Sequence, residues 1–203
     1  MNEDKESEFR AQIVANECNG IQPPHLVFYI SSICYSANQC IQAFESYFSN
    51  KNLNEPDKLF AYLQDATTHA AALSRYFWPA PKKQKDRNNF YALQLARGKN
   101  LAVHFNLSQT SALYNREFRN AWEHFDERID EYLLSNTSGQ FYPNCIVHRL
   151  DEIPNNSYTH FFKLLCPDED FVILLGQPFH FLPIYQEVKY VLKICNLHLK
   201  NPS

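Results

Sequence analysis

One run of spacings constrains the fold most. Leu26, Ile30, Ile33, Ala37, Cys40, Phe44 and Tyr47 lie alternately four and three residues apart. An α-helix turns once every ~3.6 residues, so this alternation stacks the side chains in a single stripe. Val27, Cys34, Ile41 and Phe48 widen it. The pattern predicts a long helix with a broad buried face. After the turn "SNKNLNEP", Leu59, Leu63, Ala66, Ala70, Leu73 and Phe77 repeat the alternation. Two long helices joined by a short turn read as an antiparallel hairpin.

The rest of the chain supports a helical reading. It holds only 4 Gly among 203 residues, few for a strand-rich fold with many tight turns. A first helix is expected over residues 3–16, ended by "CNGIQPP", where Gly20 and the Pro pair interrupt helical pairing. The third helix ends near "WPAPKK", and "PAPKKQKDRNN" is a basic loop. A helix with a less regular stripe follows over 88–103. "NLSQTS" supplies N-cap candidates for a further helix over 109–134, stopped by "SNTSGQ" at Gly139. Beyond it the pattern changes. "NCIVHRL" reads as a short strand, and "HFFKLLCPDEDFVILLG" as two apolar strands around a Pro-Asp-Glu-Asp turn. "LPIYQEVKYVLKICNLHL" is a final helix with Ile184, Val188, Val191, Cys195 and Leu199 on one side. The expected fold is mainly α: a helical bundle over 1–139, with a small β-hairpin and a C-terminal helix over 140–203 packed on it as one domain.

Composition narrows the function classes. A net charge of -3 gives no global attraction to nucleic acid or to an anionic membrane, so any nucleic-acid site is local. No apolar run approaches the ~18 residues of a membrane span. "MNEDKESEFR" has no signal or transit pattern, and the 6 Cys contain no CxxC. Cys34, Cys40 and Cys195 sit among apolar residues as core thiols, and cytoplasm is the expected location. The 8 His show no zinc-binding spacing, so neither a metal nor a cofactor is expected.

The chemistry-bearing stretch is "NREFRNAWEHFDERIDEYL". On a helical wheel Tyr114, Phe118, Ala121, Trp122, Phe125, Ile129, Tyr132 and Leu133 gather on a core-facing side. Arg116, Asn120, Glu123 and Glu127 point nearly opposite, with Arg119 and His124 on the two flanks. Asn120 and His124 are neighbours four apart, and Arg119 and Glu123 are spaced to pair.

"RNAWEH" is Arg, a polar residue, three residues and His, and it resembles the motif of the HEPN superfamily. These are all-helical proteins that include many metal-independent ribonucleases and toxins. The wider phrase "FRNAWEHFDERIDEYL", followed by "CPDEDF" and "PFHFLPIYQEV", also resembles a group of uncharacterised bacterial proteins. The resemblance spans roughly Pro24 to the C-terminus. It implies an antiparallel HEPN-like bundle that pairs as a homodimer, with both motifs lining one cleft. Attack by an RNA 2′-OH needs one group to take a proton and another to give one, and a His from each chain would supply both. By this resemblance His124 is the acid or base. Arg119 holds the scissile phosphate, and Asn120 orients the phosphate or His124. Arg116, Glu123 and Glu127 are supporting groups. Lys82, Lys83, Lys85 and Arg87 are the candidate RNA-backbone contacts. A toxin of this kind implies a cognate antitoxin or other protein partner. Some members carry a Tyr two positions after the motif His that a partner nucleotidyltransferase modifies. Asp126 stands there in this chain, so that form of control is not implied.

The residues also support other readings. Between 109 and 135 six acids (Glu117, Glu123, Asp126, Glu127, Asp130 and Glu131) face three bases (Arg116, Arg119 and Arg128). Such a face repels phosphate unless cations from elsewhere dominate. That favours a non-catalytic protein-binding or scaffold module of the same fold. Helical bundles also host small-ligand sites between helices, although no residue set here specifies a ligand.

Overall fold

The computed structural model describes residues 3–153 and 158–200. They form seven α-helices and one four-stranded sheet. In chain order the elements are α1 (Glu3–Glu17), α2 (Leu26–Asn50), α3 (Pro56–Phe77), α4 (Asn89–His104), α5 (Glu117–Glu123), α6 (Phe125–Ser135), β1 (Gln140–Ile146), β2 (Thr159–Cys166), β3 (Phe171–Leu174), β4 (Gln177–His180) and α7 (Leu182–Lys200). The protein is mainly helical, with a small sheet before its last helix.

Contacts group the described residues into two compact units. The first draws on residues 3–38, 69–114 and 187–200, the second on 39–68, 115–153 and 158–186. In the first, the stripe of α2 buries Ile30, Ile33 and Ala37 with Ala70, Leu73 and Phe77 of α3. Leu101 and Phe105, together with Val188, Val191 and Cys195 of α7, complete this core. Val27, expected in the buried face, is instead half exposed near the start of α2. Asn88 caps α4, its side chain accepting from the Tyr91 N–H at 3.1 Å. Gly98 lets α4 close on the end of α3: a Cβ there would lie 2.4 Å from the Phe77 carbonyl oxygen. Burial, with Cys34 alongside, pushes the Cys195 thiol up to about 12, so it stays a neutral core group.

In the second unit the stripes continue through Cys40, Phe44 and Tyr47 and through Leu59, Leu63 and Ala66. Cys40 Sγ donates to the Ala66 carbonyl at 3.2 Å, tying α2 to α3. Phe181 stacks on Phe44 at 6.1 Å and meets Tyr47 edge-on at 5.2 Å. The sheet order is β1-β2-β3-β4; β1 and β2 run parallel and the other pairs antiparallel. The hairpin expected around "CPDED" is β2–β3, turning through Asp170 at φ 49°.

Three sequence expectations change. The strand placed on "NCIVHRL" starts earlier, at Gln140, and ends at Ile146. The short strand β4 escapes the pattern because it contains Pro178, which is tolerated because β4 is an edge. The helix expected over 109–134 begins only at Glu117 and is broken at His124. The serines meant to cap it serve other bonds. Ser108 Oγ accepts from the Thr110 N–H at 3.3 Å. Ser111 donates to Glu187 Oε2 at 2.6 Å, and the same oxygen accepts the Leu113 N–H at 3.0 Å. These bonds hold 108–113 in turns against α7.

Candidate functional site

The site is built on α5 and α6. Asn115 Oδ1 accepts from the Glu117 N–H at 2.8 Å and opens the first turn of α5. Phe118, Ala121 and Trp122 anchor α5 in the second unit's core. Trp122 lies 6.4 Å from Phe60 and 6.2 Å from Phe118, and Phe118 stacks on Phe179 at 5.0 Å. Lys163 of β2 lies over the Trp122 and Phe125 rings, at 5.7 and 5.1 Å. Aromatic packing on one side thus fixes the helix and the polar residues on its other side.

At His124 the backbone leaves helical geometry, with φ -115° and ψ 33°. The ladder still continues, because His124 N–H donates to Asn120 at 3.1 Å and Arg128 N–H to His124 at 3.1 Å. The imidazole is 53% exposed, with Nδ1 3.5 Å from Glu127 Oε2. The carboxylate thus lies on the Nδ1 side of the ring, opposite Nε2.

Arg119 is held differently. Its side chain is only 14% exposed. Nε lies 3.3 Å from Glu123 Oε2, and Nη2 donates to Asn120 Oδ1 at 3.2 Å. The pairing of Arg119 with Glu123 follows from their spacing. Asn120 bonds Arg119 through its side chain and His124 through its backbone. Arg119, Asn120, Glu123, His124 and Glu127 therefore form one linked set around the break. Arg116 serves as the N-cap residue of α5 through its backbone, with no side-chain cap.

The four basic loop residues belong to the first unit. Lys82 and Arg87 lie over the Tyr91 ring at 5.7 and 5.9 Å, and Arg87 Nε donates to the Lys82 carbonyl at 3.3 Å. Lys83 and Lys85 are exposed between them.

A feature not foreseen from sequence adjoins the motif. Arg128, Glu131, Tyr132 and Ser135 of α6 line a polar groove of about 370 Å³ with Leu174, Leu175 and Gln177. Arg128 Nη1 donates to Gln177 Oε1 at 2.7 Å. No sequence signal points to Gln177, because that contact exists only once β4 has paired. Burial pushes the Tyr132 hydroxyl above its ordinary range.

Among the described residues no three His, Cys, Asp or Glu side chains come together in a metal-holding arrangement. No helix among them is long and apolar enough to cross a membrane. Fold and site together define a mainly helical protein whose partly exposed polar cluster centres on a broken helix. Comparison with protein-family models, curated proteins and solved structures finds no match.

Proposed function

We propose that this chain is a HEPN-like, metal-independent endoribonuclease of toxin or defence type. Its helices would form an antiparallel HEPN-like bundle, and its active site would be shared by two copies of the chain. The observation that carries the reading is His124. Its imidazole is exposed at a helix break, its Nδ1 lies 3.5 Å from Glu127 Oε2, and Arg119 and Asn120 lie on the preceding turn. In the reaction, His124 of one copy takes the proton from an RNA 2′-OH as that oxygen bonds to phosphorus. The bond from phosphorus to the 5′-oxygen breaks. His124 of the other copy protonates that oxygen, leaving a 2′,3′-cyclic phosphate and a 5′-OH. Arg119 stabilises the charge on the phosphoryl oxygens once the incoming phosphate displaces Glu123 from its guanidinium. The test is RNA cleavage in EDTA by the purified protein and by His124→Ala. Loss of cleavage in the variant supports the reading. Equal activity in both, or none with any RNA, sinks it.

A second reading rests on Arg119 itself. Its charge already meets Glu123, and exposed acids surround the motif. A HEPN-like module that binds a protein partner, without catalysis, needs nothing more from these residues. A stoichiometric partner in a native pull-down, with no nuclease activity, would select it.

A further inference from the structure

We infer that the groove between α6 and the β3–β4 turn is an RNA subsite, in which Arg128 binds the phosphate next to the one being cleaved. The inference rests on the ribonuclease reading. Arg128 follows His124 by one helical turn, and its N–H bonds the His124 carbonyl. Four residues advance a helix by about 6 Å, comparable to the separation of neighbouring phosphates along an extended strand. A strand whose scissile phosphate lies at His124 would therefore bring its neighbour to the level of Arg128.

The two arginines of this region differ in what holds them. Arg119 faces a carboxylate 3.3 Å away. Arg128 is steadied by the neutral amide oxygen of Gln177, which leaves its charge to the anion and to Glu131 on the same wall. An Arg preset in this way loses little side-chain freedom when an anion arrives. The groove holds about 370 Å³, enough for more than a bare phosphate. Ser135 offers a hydroxyl, and Glu131 on the same wall offers an acceptor for a ribose hydroxyl. Glu131 repels a bare phosphate, and a nucleotide unit offsets that repulsion by donating a ribose hydroxyl to it. Leu174 and Leu175 close the opposite wall through the turn made by Leu175 (φ 48°) and Gly176 (φ 80°).

The experiment is fluorescence anisotropy of a labelled short single-stranded RNA, in EDTA, in a His124→Ala background so that cleavage does not intrude. Arg128→Gln should bind about tenfold more weakly, whatever the sequence. It should also lower the slope of log affinity against log salt by about 0.7. Gln177→Glu leaves Arg128 in place but pairs it with a carboxylate, and should weaken binding as well. Arg128→Lys should keep most of the affinity. Unchanged affinity in both Arg128→Gln and Gln177→Glu overturns the subsite, as does failure of the parent to bind RNA. The catalytic reading fails separately: His124→Ala that cleaves like wild type, with binding still lost in the Arg128 variant, removes the role of His124 and leaves the groove standing.

Discussion

Glu123 is the most informative residue to change, because the account makes it a competitor of the substrate. Its carboxylate lies 3.3 Å from Arg119 Nε, where a phosphoryl oxygen would have to come. Glu123→Gln keeps the size and removes the charge. Arg119 is largely buried, but the Glu123 end of this i,i+4 pair is exposed and screened, so the bond is worth only about 0.3–0.5 kcal/mol and the melting temperature should fall by no more than about 1–2 °C. The effect on substrate is larger. A phosphate docked on Arg119 would sit about 4 Å from this carboxylate, and like charges at that distance repel by about 1 kcal/mol in a water-like dielectric. With Arg119 largely buried and Glu123 42% exposed, the water-like value is the lower bound of the repulsion. Removing the repulsion predicts a rise of at least about fivefold in kcat/KM for RNA cleavage, shrinking as added salt screens the charges. The assay is initial-rate cleavage in EDTA at low and high ionic strength. A variant that cleaves more slowly than wild type would rule out this competition, because Glu123 would then be holding Arg119 in its working position.

Other consequences concern the scaffold. Trp122→Ala removes the ring packed between Phe60 and Phe118, and should cost about 3–5 kcal/mol in urea unfolding; a loss under about 1 kcal/mol would mean that α5 is not anchored there. Gly98→Ala should lower stability by about 1–3 kcal/mol despite alanine's better helix propensity, because the added Cβ meets the Phe77 carbonyl oxygen at 2.4 Å; a melt at or above wild type contradicts that close approach. His104 is exposed, but partial desolvation of its ring, and then the His198 ring stacked 4.2 Å away, hold its pKa below 6.5. The unfolded chain protonates this histidine first, so its contribution to stability is full above about pH 6.5 and is lost as pH falls toward the folded value. The urea midpoint of His198→Asn should therefore fall less than that of wild type between about pH 7.5 and pH 5.5, and parallel curves would contradict the assignment.

Local patterns carried the sequence reading as far as local physics decides structure. The stripes of α2 and α3 are legible because burial of one face leaves a period in the chain. The β2–β3 hairpin is legible because its apolar runs flank a turn of Pro and acids. The break at His124 is not, since Phe118, Trp122, Phe125 and Ile129 keep helical spacing straight through it. The late start of α5 depends on Ser111 and Leu113 finding Glu187, a partner 76 and 74 residues away. At the site, the Arg119–Glu123 pair follows from spacing, but the depth of Arg119 does not. On a wheel it lies on a flank of the polar face, whereas in the fold little of its side chain meets solvent. The Arg128–Gln177 bond joins residues 49 apart and depends on an edge strand that Pro178 disguises.

In the proposed reaction two copies of the chain share one catalytic cleft, each giving His124. Mixing tests it most directly. Wild type and His124→Ala are combined in varied ratios at constant total protein, allowed to exchange subunits, and assayed for RNA cleavage in EDTA. If both histidines act in one cleft, only the all-wild-type pair cleaves, and activity falls with the square of the wild-type fraction. A fall in direct proportion to that fraction, or full activity of His124→Ala alone, would contradict the account.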